Sequence, residues 1–128
     1  MSTDLRRARG TLGERLAERH LVGAGYHVVE RNFRTRYGEL DLVALGPRAL
    51  VFCEVKTRVE RSFRGPAGPL DAIGPDKRRR LRLMAAQWLA ARASDDRPVP
   101  PTIRFDAIGI TLTSMGRLAR LDHVEDAF

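Results

Sequence analysis

The apolar positions change period several times along the chain. Over residues 10–25, GTLGERLAERHLVGAG, the spacing predicts a helix whose stop signals are Gly23 and Gly25. At about 100° per residue, Glu14, Ala17, Leu21 and Ala24 share one stripe of that helix. YHVVERNF, 26–33, reads as a strand, and RTRYG, 34–38, as a basic loop. ELDLVAL, 39–45, alternates with a period of two and is a second strand. GPRA, 46–49, is a turn, and LVFCEVKTR, 50–58, a third strand. Residues 59–75, rich in Gly and Pro, read as a long loop carrying Phe63 and Arg64. DKRRRLRLMAAQWLAARA, 76–93, returns to the helical period, with Lys77, Leu81, Met84 and Trp88 on one stripe and Pro75 at its start. DDRPVPP is a connector. TIRFDAIGITL, 102–112, is a fourth strand, and a short edge strand is expected near 118–121. Short links make the first three strands antiparallel, and a helical crossover makes the fourth parallel to a neighbour. The order α-β-β-β-α-β predicts a single α/β domain over 1–128, a mixed sheet flanked by helices.

One segment does not fit a plain core. Glu54 and Lys56 stand two apart in a strand that is otherwise apolar, and a buried charge needs a partner or a metal. Leu50, Phe52, Glu54 and Lys56 point one way. A regular hairpin through 46–49 pairs Leu45 with Leu50 and Val43 with Phe52. Asp41 then falls opposite Glu54, and Glu39 opposite Lys56. Facing carboxylates repel unless a cation lies between them, and oxygen donors of this kind suit Mg²⁺ or Mn²⁺. Glu14 and Lys77 are aimed toward the sheet by their helices, so Glu14, Asp41, Glu54, Lys56 and Lys77 converge on one sheet edge. The plainer alternatives are a structural ion pair for Glu54 and Lys56, a solvated Glu14, and a snorkelling Lys77.

Composition narrows the partner. Of 128 residues 23 are Lys or Arg and 16 Asp or Glu, a net charge of +7, which points to a polyanion and above all to nucleic acid. Cys53 is the one cysteine, which excludes an internal disulfide and a cysteine zinc site and fits a reducing cytoplasm. The three His lack metal-site spacing. No apolar run approaches the roughly 18 residues of a membrane span, and no signal-peptide pattern opens the chain. Candidate phosphate contacts are Arg78, Arg79, Arg80 and Arg82 on the second helix, Arg31, Arg34 and Arg36 before the second strand, and Arg64 in the long loop. The alternatives are a solvated helix face for KRRRLR and a passive connector for the loop. Scattered aromatics give no stacking platform for single strands, so duplex or branched DNA is the expected substrate.

GERLAERHL, GYHVVERNFRTRYGELDLVA, LVFCEVKTR, KRRRL, RFDAIGI and the terminal DAF resemble the YraN-type proteins of bacteria over nearly the whole chain. That family is placed in the restriction-endonuclease-like superfamily, whose motif is an acidic residue on the first helix, an Asp on a strand, then E-x-K. Its relatives include Holliday-junction resolvases. The resemblance implies a restriction-endonuclease-like core with Asp41, Glu54, the Val55 carbonyl and Glu14 as metal ligands. It implies that Lys56 activates water or steadies the phosphate, and that Lys77 stands where the superfamily often carries a Lys or Gln. The implied activity is Mg²⁺-dependent hydrolysis of phosphodiesters in structured or branched DNA, by a dimer in analogy with resolvases. The alternative is a nucleic-acid-binding protein of DNA processing that does not cleave by itself. A third reading is a protein-interaction domain with structural carboxylates.

Overall fold

The structure, a computed structural model, describes residues 3–60, 74–92, 100 and 102–128. Helix α1 spans Thr3–Gly23, a full two turns more than the spacing predicts at its N-terminal end. Gly10 and Gly13 interrupt the apolar pattern without breaking the backbone helix, and Asp4 in the first turn favours the helix dipole. The expected stop at the glycines is real. Tyr26 N–H bonds Leu21 O and Gly25 N–H bonds Val22 O, with Gly25 at φ +95°, the left-handed cap that glycine adopts at no steric cost.

Strand β1 is His27–Thr35 and β2 is Gly38–Leu45. The basic loop expected at 34–38 is therefore only a two-residue turn, because Arg34 pairs with Glu39 and Thr35 with Gly38. Strand β3 is Ala49–Val59, α2 is Pro75–Ala91 with Pro75 in its first turn, and β4 is Thr102–Leu112. Strand β5, Leu118–Val124, outlasts the predicted 118–121 by pairing with β4 as far as Val124↔Ala107. The sheet runs β1-β2-β3-β4-β5, antiparallel except for the parallel β3–β4 pair, so β3 is its central strand. Phe63 and Arg64 lie outside the described residues.

Each face of the sheet is covered by one helix. Ala17 and Leu21 of α1 pack with Leu42, Ala44, Val51, Cys53, Ile108 and Ile110. Leu81, Met84 and Trp88 of α2 pack with Leu40, Val43, Leu50 and Phe52 on the other face. Trp88 satisfies its indole N–H on Glu30 at 3.0 Å. Among the described residues no helix is long and apolar enough to cross a membrane.

A second polar centre ties the C-terminal end down. Asp106 is 0% exposed and accepts from Arg104 Nε at 2.8 Å, Arg104 Nη2 at 2.9 Å and Asp126 N–H at 3.0 Å. His123 Nε2 lies 2.7 Å from the same carboxylate, so that nitrogen carries the proton. His123 Nδ1 then accepts from His20 Nε2 at 2.9 Å, joining β5 to the end of α1.

Candidate functional site

The paired β2–β3 ladder begins as predicted, Leu45↔Leu50 and Val43↔Phe52, but ends at Leu42↔Cys53. Asp41↔Glu54 and Glu39↔Lys56 are therefore not ladder pairs. The Asp41 carboxylate takes the Val55 N–H itself, at 2.8 Å, where a continuing β2 would have offered a carbonyl. The alternation of β2 also breaks here. Leu40 and Val43 both face α2 while Leu42 and Ala44 face α1. Across β1, between the pairs Arg31↔Leu42 and Phe33↔Leu40, Asn32 sits at φ +51°, a left-handed conformation that Asn tolerates better than most residues. Its side-chain amide donates to Glu14 at 2.9 Å and Glu39 at 2.7 Å.

Gly13 sets the depth of α1. A Cβ at this position would stand 1.8 Å from Thr57 Oγ1, so only glycine lets the helix rest on β3 here. That contact carries Glu14, the next residue, down to the sheet. Oxygens of Glu14, Glu39 and Asp41 all lie within 4.8 Å of one another.

On the α2 side, Lys77 Nζ is 2.7 Å from Glu54 Oε1, and Glu54 is 8% exposed. Lys56 lies beside Lys77, within hydrogen-bonding reach. Burial pulls Lys77 down, but the Glu54 hydrogen bond and charge outweigh it and hold the ammonium above the usual lysine range. Lys56 is shifted the other way: its hydrogen bond with Lys77 and its partial burial pull it below that range. Of the two neighbours, Lys56 is the one that releases a proton more readily. Asp41 sits between the acidic and the basic halves. Burial first, then the Glu54 charge, push its carboxyl up to about 8, with Glu14 and Glu39 adding to the shift and the Val55 N–H opposing it.

Such a cluster fits a divalent cation. The donors are all carboxylate oxygens, they converge, and their repulsion is what a hard cation removes. The structure brings Glu14 and Asp41 together with Glu39, places Glu54 against Lys77, and ties the Asp41 carboxylate to the Val55 N–H. The sequence places Glu39 only opposite Lys56 and gives no role to Asn32. A strict two-residue period assigns Glu39 to Lys56, and only an Asn in mid-strand hints that the period fails.

Most of the arginines singled out in the sequence have protein partners. Arg31 grips Glu18 through Nε and Nη2, both at 2.6 Å. Arg34 is 3.3 Å from Glu39, and Arg36 donates to the Tyr37 hydroxyl at 2.6 Å. Arg79 bonds Asp76 at 3.2 Å, and Arg82 stands 5.7 Å over the Phe105 ring. Arg78 and Arg80 are exposed.

These features define a class: a mixed α/β protein with a five-stranded sheet, one helix on each face, and an acid–lysine centre where β2 parts from β3. The model of the uncharacterised protein family UPF0102 matches residues 13–110, and the chain belongs to that family. It is 49% identical over 114 residues to a UPF0102 protein of Mycobacterium sp. (strain KMS), covering 88% of this chain and 79% of the relative. A UPF0102 protein of Streptomyces griseus is 45% identical over 111 residues, 87% of this chain and 88% of the relative. The UPF0102 protein of Rhodococcus jostii (strain RHA1) is 42% identical over 121 residues, 94% of this chain and 96% of the relative.

Proposed function

We propose that this protein is a Mg²⁺- or Mn²⁺-dependent endonuclease of the restriction-endonuclease-like class, hydrolysing phosphodiesters of structured or branched DNA. The observation that carries the reading is the convergence of Glu14, Glu39 and Asp41 within 4.8 Å beside the Glu54–Lys77 pair and Lys56. The element order and the mixed sheet support the fold assignment.

Glu14, Glu39 and Asp41 would hold the cation, which when bound neutralises phosphate charge and lowers the pKa of a bound water. Asn32 orients Glu14 and Glu39, since its amide donates to both. The Val55 N–H fixes Asp41. Lys77 keeps its proton on Glu54, which leaves Lys56, with its lowered proton affinity, to take a proton from the attacking water as the P–O bond to the sugar breaks and to return it to the leaving sugar oxygen. The net charge of +7 favours association with a polyanion before any chemistry.

Flap, fork, four-way and linear DNAs incubated with the purified protein test this directly. Cleavage is expected with Mg²⁺ or Mn²⁺ and not with chelator, and Asp41→Asn and Glu14→Gln should abolish it while the fold persists by circular dichroism. Undiminished cleavage in both variants would overturn the mechanism. The Glu54–Lys77 ion pair also favours a second reading, a DNA-processing protein that binds without cutting. Tight metal-independent binding with no cleavage of any substrate supports that one.

A further inference from the structure

We propose that the substrate strand reaches the acidic centre through the cleft between the first half of α1 and the end of β3, with Arg6, Arg9 and Arg58 as its phosphate contacts. This rests on the nucleic-acid reading above. The cleft has a volume of about 470 Å³ and is lined by Arg6, Arg9 and Arg58 together with Glu14 and Val55. Its charge is graded. Three arginines flank the path, and Glu14 of the carboxylate trio stands in its wall. Val55, whose N–H holds Asp41, is part of the same lining. A polyanion in this cleft is attracted along the arginines and brought against the acids that a cation would neutralise. Arginine is suited to the task, because its planar fork contacts phosphate oxygens in pairs.

One further observation agrees. A Cβ at Gly10 would meet nothing within 4 Å, so this part of the cleft lining opens onto free space.

The experiment is binding of a short fluorescent duplex and of its single strand, read by anisotropy in chelator over a salt series, so that no cleavage is required. The Arg6→Gln/Arg9→Gln/Arg58→Gln variant should lose affinity, and its slope of log affinity against log salt should be shallower by about one unit per arginine. Gly10→Gln keeps every charge and improves helix propensity, so it should fold at least as well while obstructing the cleft and weakening binding. Arg48→Gln, in the β2–β3 turn at the opposite end of β3, should bind as the parent does. Unchanged affinity and slope in the cleft variants, or no binding of either probe by the parent protein at low salt, would overturn the proposal. Binding through these arginines without cleavage of any DNA leaves the cleft standing and removes the nuclease. Metal-dependent cleavage with undiminished binding by the triple variant does the reverse.

Discussion

Asp41 bears opposing demands from every side. It is half-buried, it faces three other carboxylates, and one backbone N–H supports its charge. Its folded-state value, about 8, stands above the ordinary 3.8, so the fold binds this proton more tightly than the unfolded chain does. The stability contributed is then complete below about pH 4 and is lost as pH rises from there toward 8. In chelator, Asp41→Asn should therefore be more stable than the parent at pH 9, by about 1–3 kcal/mol after allowance for solvent screening, and the gap should close toward pH 4. Urea denaturation at a series of pH values reads this. A divalent cation competes with the same proton, so Mg²⁺ or Mn²⁺ should raise the melting temperature of the parent increasingly up to about pH 8 and leave Asp41→Asn unmoved. A variant as destabilised by high pH as the parent would show that Asp41 is not the strained group.

At the scale of elements, the approach of α1 to β3 is the decisive contact. Gly13→Ala puts a methyl group 1.8 Å from Thr57 Oγ1 and 2.9 Å from its Cβ. Overpacking of this kind should cost about 1–3 kcal/mol and lift Glu14 off the centre, weakening metal binding as well as the fold. Adding Thr57→Ala removes the worse clash and keeps the lesser one, so calorimetry should recover part of the loss. The order of the elements was legible because helical and two-residue periods alternate along the chain, and the β2–β3 register near the turn followed from the pairing of Leu45 with Leu50. The residues of the acid–lysine centre were legible too, since Asp41, Glu54 and Lys56 interrupt strands that are otherwise apolar. Their geometry was not. Periodicity assumes an unbroken strand, whereas Asn32 at φ +51° and the Asp41–Val55 bond replace ladder pairing with side-chain bonds. That local change recruits Glu39 and sets Glu54 against Lys77. The extra turns of α1 lie before Gly10, which reads in the sequence as a helix start although the helix runs through it.

Over the whole molecule, two charged centres respond to pH in opposite senses. Asp106 is held below the ordinary carboxylate range: burial opposes this, but the bonds from His123, Arg104 and the Asp126 N–H prevail. His20 is held below 6.5 by burial and by His123. Both groups contribute stability at neutral pH, the His20 share being lost as pH falls below about 6.5 and the Asp106 share below about 3.8. Asp106→Asn leaves Arg104, 19% exposed, with Glu125 at 3.6 Å as a weaker charge partner, and should cost about 1–3 kcal/mol at pH 7 by chemical denaturation. A loss under about 1 kcal/mol would mean that the cluster is dispensable.

The parallel β3–β4 ladder joins Ala49 to Thr102 and Val59 to Leu112, across the intervening helix. Contacts so distant along the chain form late, because closing the loop precedes any gain from the pairing. On a ribosome, the strand bearing Glu54 and Lys56 must wait for α2 and β4 to emerge before its second neighbour exists. An emerging chain thus carries these acids early but has no finished scaffold to align them, and whatever centre they form must await the arrival of β4.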